Sequence, residues 1–288
     1  MSKYLVTGSA GFIASHVVDL LISQGHQVTG VDNLSNGKIG NINPQSQFYN
    51  RDITDPVFWS ILERFDCVFH LAALPRIQPS IKDPMPAHDT NINGTLQVLE
   101  YCRRQKTKLV FSSSSSIYKG DDLPARETAT IKPKNPYTLQ KYVCEQYIEL
   151  YHELYNLDYT ILRYFNVYGE RQLLEGAYAT VLGIFLQQRK QGLPLPITND
   201  GEQRRDFTYV GDVARANLAA VDWQGTFNIG SGRNWSINEI ADMVGGTTKN
   251  VGTRLGEARQ TLADNTKAAK MGWYPQVSVK DWIHSVRP

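Results

Sequence analysis

This sequence predicts an α/β protein: a doubly wound parallel sheet with a smaller C-terminal unit interleaved with it. Three observations carry the prediction. Short β-branched or aromatic runs alternate with longer helical patterns through residues 4–164. Those runs are almost continuously apolar, as strands covered on both faces must be. The rhythm breaks after Phe165, where Gly and Pro punctuate Gly192-Leu193-Pro194-Leu195-Pro196 and Asp200-Gly201 signals a turn.

The elements follow in order. Tyr4 to Thr7 reads as a strand. Phe12 to Gln24 reads as a helix with Phe12, Ile13, Val17, Leu20 and Leu21 on one broad face. Gln27 to Val31 is a strand ending on Asp32, Gln47 to Tyr49 is short and extended, and Pro56 to Arg64 is helical. Cys67 to Leu71 is a buried strand, Ala87 to Arg104 a helix and Lys108 to Ser112 a strand. Tyr137 to Tyr155 is a long helix with Asn135 as its cap and Pro136 in the first turn. Tyr159 to Tyr164 is again a strand. Beyond it, Phe207 to Val210 and Thr226 to Ile229 look extended and Ile237 to Val244 helical.

The 288 residues are roughly twice a usual domain, and 41% hydrophobic with 20% charged residues is globular composition. Thirty Lys and Arg against 28 Asp and Glu leave +2, which gives no reason to expect nucleic acid or an acidic membrane as partner. No apolar run is long enough to span a bilayer, and the N-terminus does not read as a secretion signal. Cys67, Cys102 and Cys144 fit neither a disulfide framework nor a metal pattern, so reduced, buried thiols in a cytoplasmic protein are expected.

Gly8-Ser9-Ala10-Gly11-Phe12-Ile13-Ala14 follows the first strand and opens the first helix. Gly8 permits the tight turn, Gly11 lets a pyrophosphate approach the helix N-terminus, and Ala14 still allows close packing on the sheet. Asp32 ends the second strand 18 residues after Ala14, placed to accept hydrogen bonds from ribose hydroxyls and to repel a 2′-phosphate. The constellation predicts a Rossmann-type site for NAD rather than NADP. Residues 1–165 then form the NAD-binding domain, with 204–230 returning to it, and 166–288 serve mainly the substrate. Asp52, ending the third strand, reads either as an acceptor for the adenine amino group or as a plain turn carboxylate.

Tyr137 and Lys141 are four residues apart, on one helix face. A phenol of pKa ~10 needs about 4 kcal/mol of preferential stabilisation to ionise near pH 7. An ammonium and a positive nicotinamide ring could supply that in a partly desolvated site. The hydroxyl cluster Ser112 to Ser116 ends a strand on the crevice side of the sheet.

With these residues the sequence resembles the extended short-chain dehydrogenase/reductase family, and within it the nucleotide-sugar 4-epimerases. The resemblance covers nearly the whole chain. It runs through TGSAGFIAS at 7–15, DNLSNG at 32–37, HLAA at 70–73, NINGT at 91–95 and FSSSSSIY at 111–118. It continues in the Tyr137/Lys141 pair, LRYFNVYG at 162–169, GAYA at 176–179, DGEQRRDFTYVGDVA at 200–214, FNIGSG at 227–232 and RLGE at 254–257.

The resemblance implies a catalytic Ser114, Tyr137 as base and Lys141 as its partner. It implies NAD contacts from Gly8, Gly11, Phe12, Ile13, Asp32 and Asn33, from Asp52 and Ile53, from the apolar wall Leu71, Ala72 and Ala73, and from Tyr137, Lys141 and Tyr164. Asn166, Arg205 and Arg254 would hold the diphosphate of a nucleotide sugar, most commonly a UDP-sugar; a planar guanidinium suits phosphate oxygens. Relatives that dehydrate a 4-keto sugar carry an Asp-Glu pair after the catalytic Ser/Thr, and decarboxylases keep a Glu there. Here Ser115 and Ser116 stand in those positions, and hydroxyls are poor acids and bases for proton abstraction at C5. The expectation is therefore C4 inversion of UDP-glucose or UDP-galactose through a transient 4-keto sugar. The alternatives are a 4,6-dehydratase, a reductase, or a non-catalytic dinucleotide-binding relative.

Thr261, seven residues after Arg254, falls where hexose-restricted members carry a Tyr, which implies room for N-acetylated sugars. Pro75-Arg76 and Lys119 depart from the family pattern. Apolar residues on several faces of the Tyr137 helix (Val143, Ile148, Leu150, Leu154) point to a homodimer joined through it and the Ala87–Arg104 helix, as in the family.

Overall fold

The computed structural model describes residues 1–287 except Ala177, Arg254, Leu255 and Glu257. Six strands arise in the first part of the chain: β1 (Lys3–Thr7), β2 (Gln27–Asp32), β3 (Gln47–Asn50), β4 (Cys67–His70), β5 (Lys108–Ser114) and β6 (Tyr159–Tyr164). A final strand, Gly225–Ile229, pairs with β6, so the all-parallel sheet runs from it through β6, β5, β4, β1 and β2 to β3. The order reverses between β1 and β4, and that switch point opens a crevice above the strand ends.

Neighbouring residues within each central strand feed opposite cores. Val6, Phe69, Val110 and Leu162 pack with Val17 and Leu21 of helix Phe12–Ser23 and with Phe227 and Trp273. Their neighbours Leu5, Val68, Leu109 and Ile161 pack with Trp59, Leu99 and Ile148 on the other face. This explains the unbroken apolar runs: side chains alternate across the sheet and both faces are covered. A third core (Phe185, Leu195, Phe207, Ile240, Trp282, Ile283) belongs to the C-terminal lobe.

The long helix spans Pro136–Tyr155. Thr138 N–H donates to Asn135 Oδ1 (3.0 Å), and the Asn135 N–H donates back to Thr138 Oγ1 (3.3 Å), which closes a capping box. The expected helix over 87–104 is interrupted. Pro84–His88 and Gly94–Gln105 are α-helical, but Asp89–Asn93 between them is a π-turn. The wider turn carries Asn91, whose amide bonds both the Leu74 backbone and Gln140 Oε1 (2.8 Å).

The second part of the chain holds more helix than the sequence suggests: Val181–Lys190, Val210–Ala219 and Val279–Val286. Val210, expected to end an extended run, instead begins a helix. Its start has no side-chain cap, and the helix is held by packing on Phe12–Ser23, a contact invisible to local pattern. Within 204–230, Arg204–Asp206 pairs with Asn234–Ser236 outside the main sheet, and only Gly225–Ile229 joins the sheet itself.

Candidate active site

A cleft of about 520 Å³ runs along the C-terminal ends of β1, β2, β4, β5 and β6 into the C-terminal lobe. At its first end Gly8 has φ +70°, and a Cβ there would stand 2.9 Å from the Ala72 backbone. Gly11 caps helix Phe12–Ser23 with no side-chain hydrogen bond, and no acidic residue occupies the first turn. The uncapped N–H groups therefore face the cleft. Thr7 Oγ1 accepts the N–H groups of both Leu71 and Ala72 (3.1 Å each), which fixes the apolar wall opposite.

Asp32 is buried, with Oδ2 accepting from Ala10 N–H (3.1 Å) and Oδ1 from Leu34 N–H (2.7 Å). Burial holds its carboxyl above the ordinary value, with these two N–H groups offsetting only part of that rise. Gly8, Gly11, Phe12, Ile13, Asp32, Asn33 and Ile53 all line the cleft, as do Leu71, Ala72, Ala73 and Tyr164. A glycine turn on a bare helix end, a carboxylate at the β2 terminus and an apolar wall suit a dinucleotide, so these residues fit NAD.

Asp52, which reads as an adenine acceptor or as a turn carboxylate, is not itself among the lining residues, although Arg51 and Ile53 on either side of it are. Its Oδ1 accepts from Thr54 N–H (2.9 Å) and Oγ1 (2.8 Å), and its Oδ2 from Asn33 Nδ2 (2.7 Å). Burial raises the carboxyl, but these donors together hold it below its usual range. The carboxylate thus closes a turn and steadies Asn33, leaving Ile53 to face the cleft.

At the other end, β5 continues to Ser114, two residues further than expected. Ser114 Oγ lies 2.7 Å from Ser116 Oγ and accepts Ser116 N–H (3.2 Å), and its hydroxyl favours the ionised form of the Tyr137 phenol. Lys141, one turn after Tyr137, is buried with Nζ donating to the Ser112 carbonyl (2.8 Å) above the Phe111 ring (4.7 Å). Burial brings this lysine down to about 8.

The electrostatics of Tyr137 differ from expectation. Burial of its hydroxyl pushes the phenol above its ordinary value, while the Ser114 hydrogen bond and the Arg76 charge pull it down. Lys141 Nζ meanwhile donates to the Ser112 carbonyl, which holds its ammonium on the same helix face one turn from Tyr137.

Beneath the serines lies a buried pair that sequence reasoning missed. Arg163 Nη2 donates to Glu145 Oε2 (2.6 Å) and Nε to Oε1 (3.0 Å); Ser113 Oγ donates to the same carboxylate. Arg163 Nη1 reaches Tyr118 Oη (2.8 Å), which donates to Asn228 Oδ1 (2.7 Å). The one local signal is Glu145 standing one helical turn after Lys141.

On the sugar side, Asn166 Nδ2 donates to the Asp206 carbonyl (3.0 Å) and to Thr261 Oγ1 (3.2 Å). The buried Asp206 carboxylate gathers Ser231 N–H (2.7 Å), Gly232 N–H (3.0 Å) and Ala263 N–H (3.0 Å). Arg205 lines the cleft with Nη1 donating to the Arg204 carbonyl (3.0 Å). Arg254 lies outside the described residues. Among the described lining residues Asp32, at the far end, is the only carboxylate.

Known proteins resemble this chain over nearly its whole length. Residues 4–230 match the NAD dependent epimerase/dehydratase family. A UDP-glucose 4-epimerase of Mycolicibacterium smegmatis is 34% identical over 98% of this chain and 96% of its own length. The structure of Thermotoga maritima UDP-glucose 4-epimerase with UDP-glucose superposes with a TM-score of 0.94 at 39% identity, covering 98% of this chain and 96% of that one. Methanobrevibacter ruminantium UDP-N-acetylglucosamine 4-epimerase, in complex with UDP-N-acetylmuramic acid, gives 0.94 at 34% identity, covering 99% and 96%. The glycine turn, the hydroxyl cluster facing Tyr137 and these matches lead to one conclusion: this chain belongs to the NAD dependent epimerase/dehydratase family.

Proposed function

We propose that the enzyme inverts C4 of a UDP-sugar through a transient 4-keto sugar, with NAD retained throughout turnover. One observation carries the choice of reaction: the described residues at the sugar end of the cleft offer hydroxyls, a phenol and cations but no carboxylate. Dehydration requires a proton to leave C5, and the Ser115 and Ser116 hydroxyls are too weakly basic to take it. When bound, NAD supplies a reversible hydride acceptor. Tyr137 takes the C4 hydroxyl proton and returns it after the sugar turns, with Ser114 and Ser116 aligning that hydroxyl. Lys141 fixes the helix bearing Tyr137 against the end of β5. Asn166 and Arg205, together with Arg254, hold the diphosphate while the sugar rotates.

In this reading residues 1–165 serve the cofactor, 204–230 returns to them through helix Val210–Ala219 and strand Gly225–Ile229, and the rest of 166–288 serves mainly the substrate. Incubation with UDP-, GDP- and dTDP-sugars, followed by NMR, should show C4 inversion with no net NADH. Accumulation of a 4-keto product or net NADH formation would instead indicate a dehydratase or reductase.

N-acetylated sugars are proposed as substrates too. Thr261 is small, lines the cleft, and accepts from both Asn166 Nδ2 and Asp206 N–H (3.2 Å each). Thr261→Tyr should lower kcat/KM for UDP-N-acetylglucosamine about 10- to 100-fold while sparing UDP-glucose. Thr261→Ser, which keeps the hydroxyl, should spare both. Equal loss on both sugars in the Tyr variant would show disruption of Asn166 rather than a gate.

A homodimer is also proposed. On the Pro136–Tyr155 helix Ile148 is buried in the protein's own core with Val143 packed against it, so the exposed apolar face is Leu139, Leu150 and Leu154 (51%, 44% and 60% exposed), beside exposed Ile81 and Met85 on the helices it touches. Light scattering at micromolar concentration should give twice the chain mass of 32.5 kDa, and a monomer would refute it. No helix among the described residues is long and apolar enough to cross a membrane. The three cysteines are free and buried, which favours the cytoplasm.

A further inference from the structure

The substrate end of the cleft takes its lining from separate stretches of chain: Asn166 after β6, Arg205 in the strand Arg204–Asp206, and Thr261 further along. Asp206 joins them. It is fully buried and is not itself among the lining residues. Its Oδ1 accepts from Ser231 N–H (2.7 Å) and Oγ (2.6 Å), and its Oδ2 from Gly232 N–H and Ala263 N–H (3.0 Å each). Gly230 makes room for this gathering, since a Cβ there would stand 3.1 Å from Oδ2 and 2.3 Å from Ala263 Cβ. The backbone of Asp206 extends the knot. Its N–H donates to Thr261 Oγ1 (3.2 Å), and its carbonyl accepts from Asn166 Nδ2 (3.0 Å). Thr261 N–H in turn donates to the Arg204 carbonyl (3.1 Å), so Arg205 is flanked on both sides by residues bonded to Thr261.

We propose that Asp206 is a positioning residue for the nucleotide sugar: without touching it, the buried carboxylate sets the spacing of Arg205, Asn166 and Thr261, and through them substrate affinity. The proposal rests on reading this end of the cleft as the nucleotide-sugar site. Every donor to the carboxylate is neutral, and bonds from neutral donors to an ionised acceptor are shorter and stronger than neutral pairs. They bring the exit of the last sheet strand and the stretch after Thr261 onto one point. A binding constellation needs its groups held to within about half an ångström, and groups locked from behind meet that need. None of the partners of Asp206 belongs to residues 1–165, so the hold on the cofactor should not depend on it.

The test is calorimetric binding of UDP, with steady-state kinetics on UDP-glucose, using the protein with NAD bound. Asp206→Asn keeps the shape, but in either orientation its NH2 faces a backbone N–H and leaves a buried donor without an acceptor. Kd for UDP and KM for UDP-glucose should rise about 10- to 100-fold, as for other displaced binding groups. The kcat should stay within about threefold and the bound NAD should be unchanged, the pattern of lost ground-state binding. Ser231→Ala removes a single hydroxyl donor and should move Kd and KM the same way by about threefold. Unmoved Kd and KM in a variant that only melts earlier would show a stabilising role alone and overturn the proposal, as would loss of NAD in step with loss of UDP. Should Asp206→Asn fail to fold, Ser231→Ala decides by the same two constants. An unsubstituted protein that binds UDP but inverts no sugar nucleotide sinks the epimerase reading and leaves the role of Asp206 to be decided by Kd; one that binds none of UDP, GDP or dTDP sinks both.

Discussion

Tyr137→Phe is expected to lower kcat for C4 inversion by about 10²- to 10⁴-fold, the span over which a positioned acid–base group contributes. The substitution deletes one oxygen and keeps the ring. The helix start it sits on is secured independently, by the Asn135 capping box and by Ser80 accepting the Tyr137 backbone N–H. Ser114 keeps Ser116 as a partner at 2.7 Å, so no buried hydroxyl is stranded. Circular dichroism and the amount of nucleotide retained on purification should match the unsubstituted protein. Activity within threefold of the original would mean that another group removes the proton and would end the mechanism proposed above.

Glu145→Ala is expected to be the most destabilising single change near the site, by about 3–5 kcal/mol, because it strands a buried guanidinium. Glu145 and Arg163 are 1% and 4% exposed. The carboxylate receives contacts of 2.6, 3.0 and 3.2 Å from Arg163 as well as the Ser113 hydroxyl. After truncation, Arg163 retains only neutral acceptors, Tyr118 Oη and the Glu127 carbonyl (2.8 Å each). Urea unfolding measures the loss, and removing Arg163 as well (Glu145→Ala with Arg163→Met) should recover part of it. A loss below about 1 kcal/mol would show that water or another side chain replaces the carboxylate. Because Ser113 and Tyr118 flank Ser114, the folded fraction of Glu145→Ala should also turn over more slowly.

Much of the sheet and cofactor end was legible because each feature is signalled locally. The apolar strands, the glycine turn, Asp32 and the Asn135 cap each follow from a few adjacent residues. Helix Ile237–Val244 was likewise readable and is closed by Ser236 and Glu239, whose hydroxyl and carboxylate bond each other's N–H groups (3.0 and 2.6 Å).

What escaped notice depends on distant contacts. Glu145 and Arg163 meet from a helix and a strand and share no periodic pattern. Helix Val210–Ala219 begins without a side-chain cap, so only its packing partner reveals it. Asp52 carried two readings of equal standing, and the sequence could not show that Thr54 and Asn33 both donate to it. The Tyr-x-x-x-Lys spacing located the phenol, yet spacing alone could not show that Lys141 would be bound to Ser112 O.

The position of the last sheet strand bears on how the protein is made. Gly225–Ile229 completes the edge beside β6, but 60 residues lie between Tyr164 and Gly225 in the chain. A nascent polypeptide emerging from the ribosome therefore holds β6 with an unpaired edge for a few seconds of synthesis, open to wrong partners until residue 229 is released. The nucleotide-binding half cannot mature ahead of its companion. Truncation near residue 165 should yield an aggregation-prone fragment rather than a free-standing module.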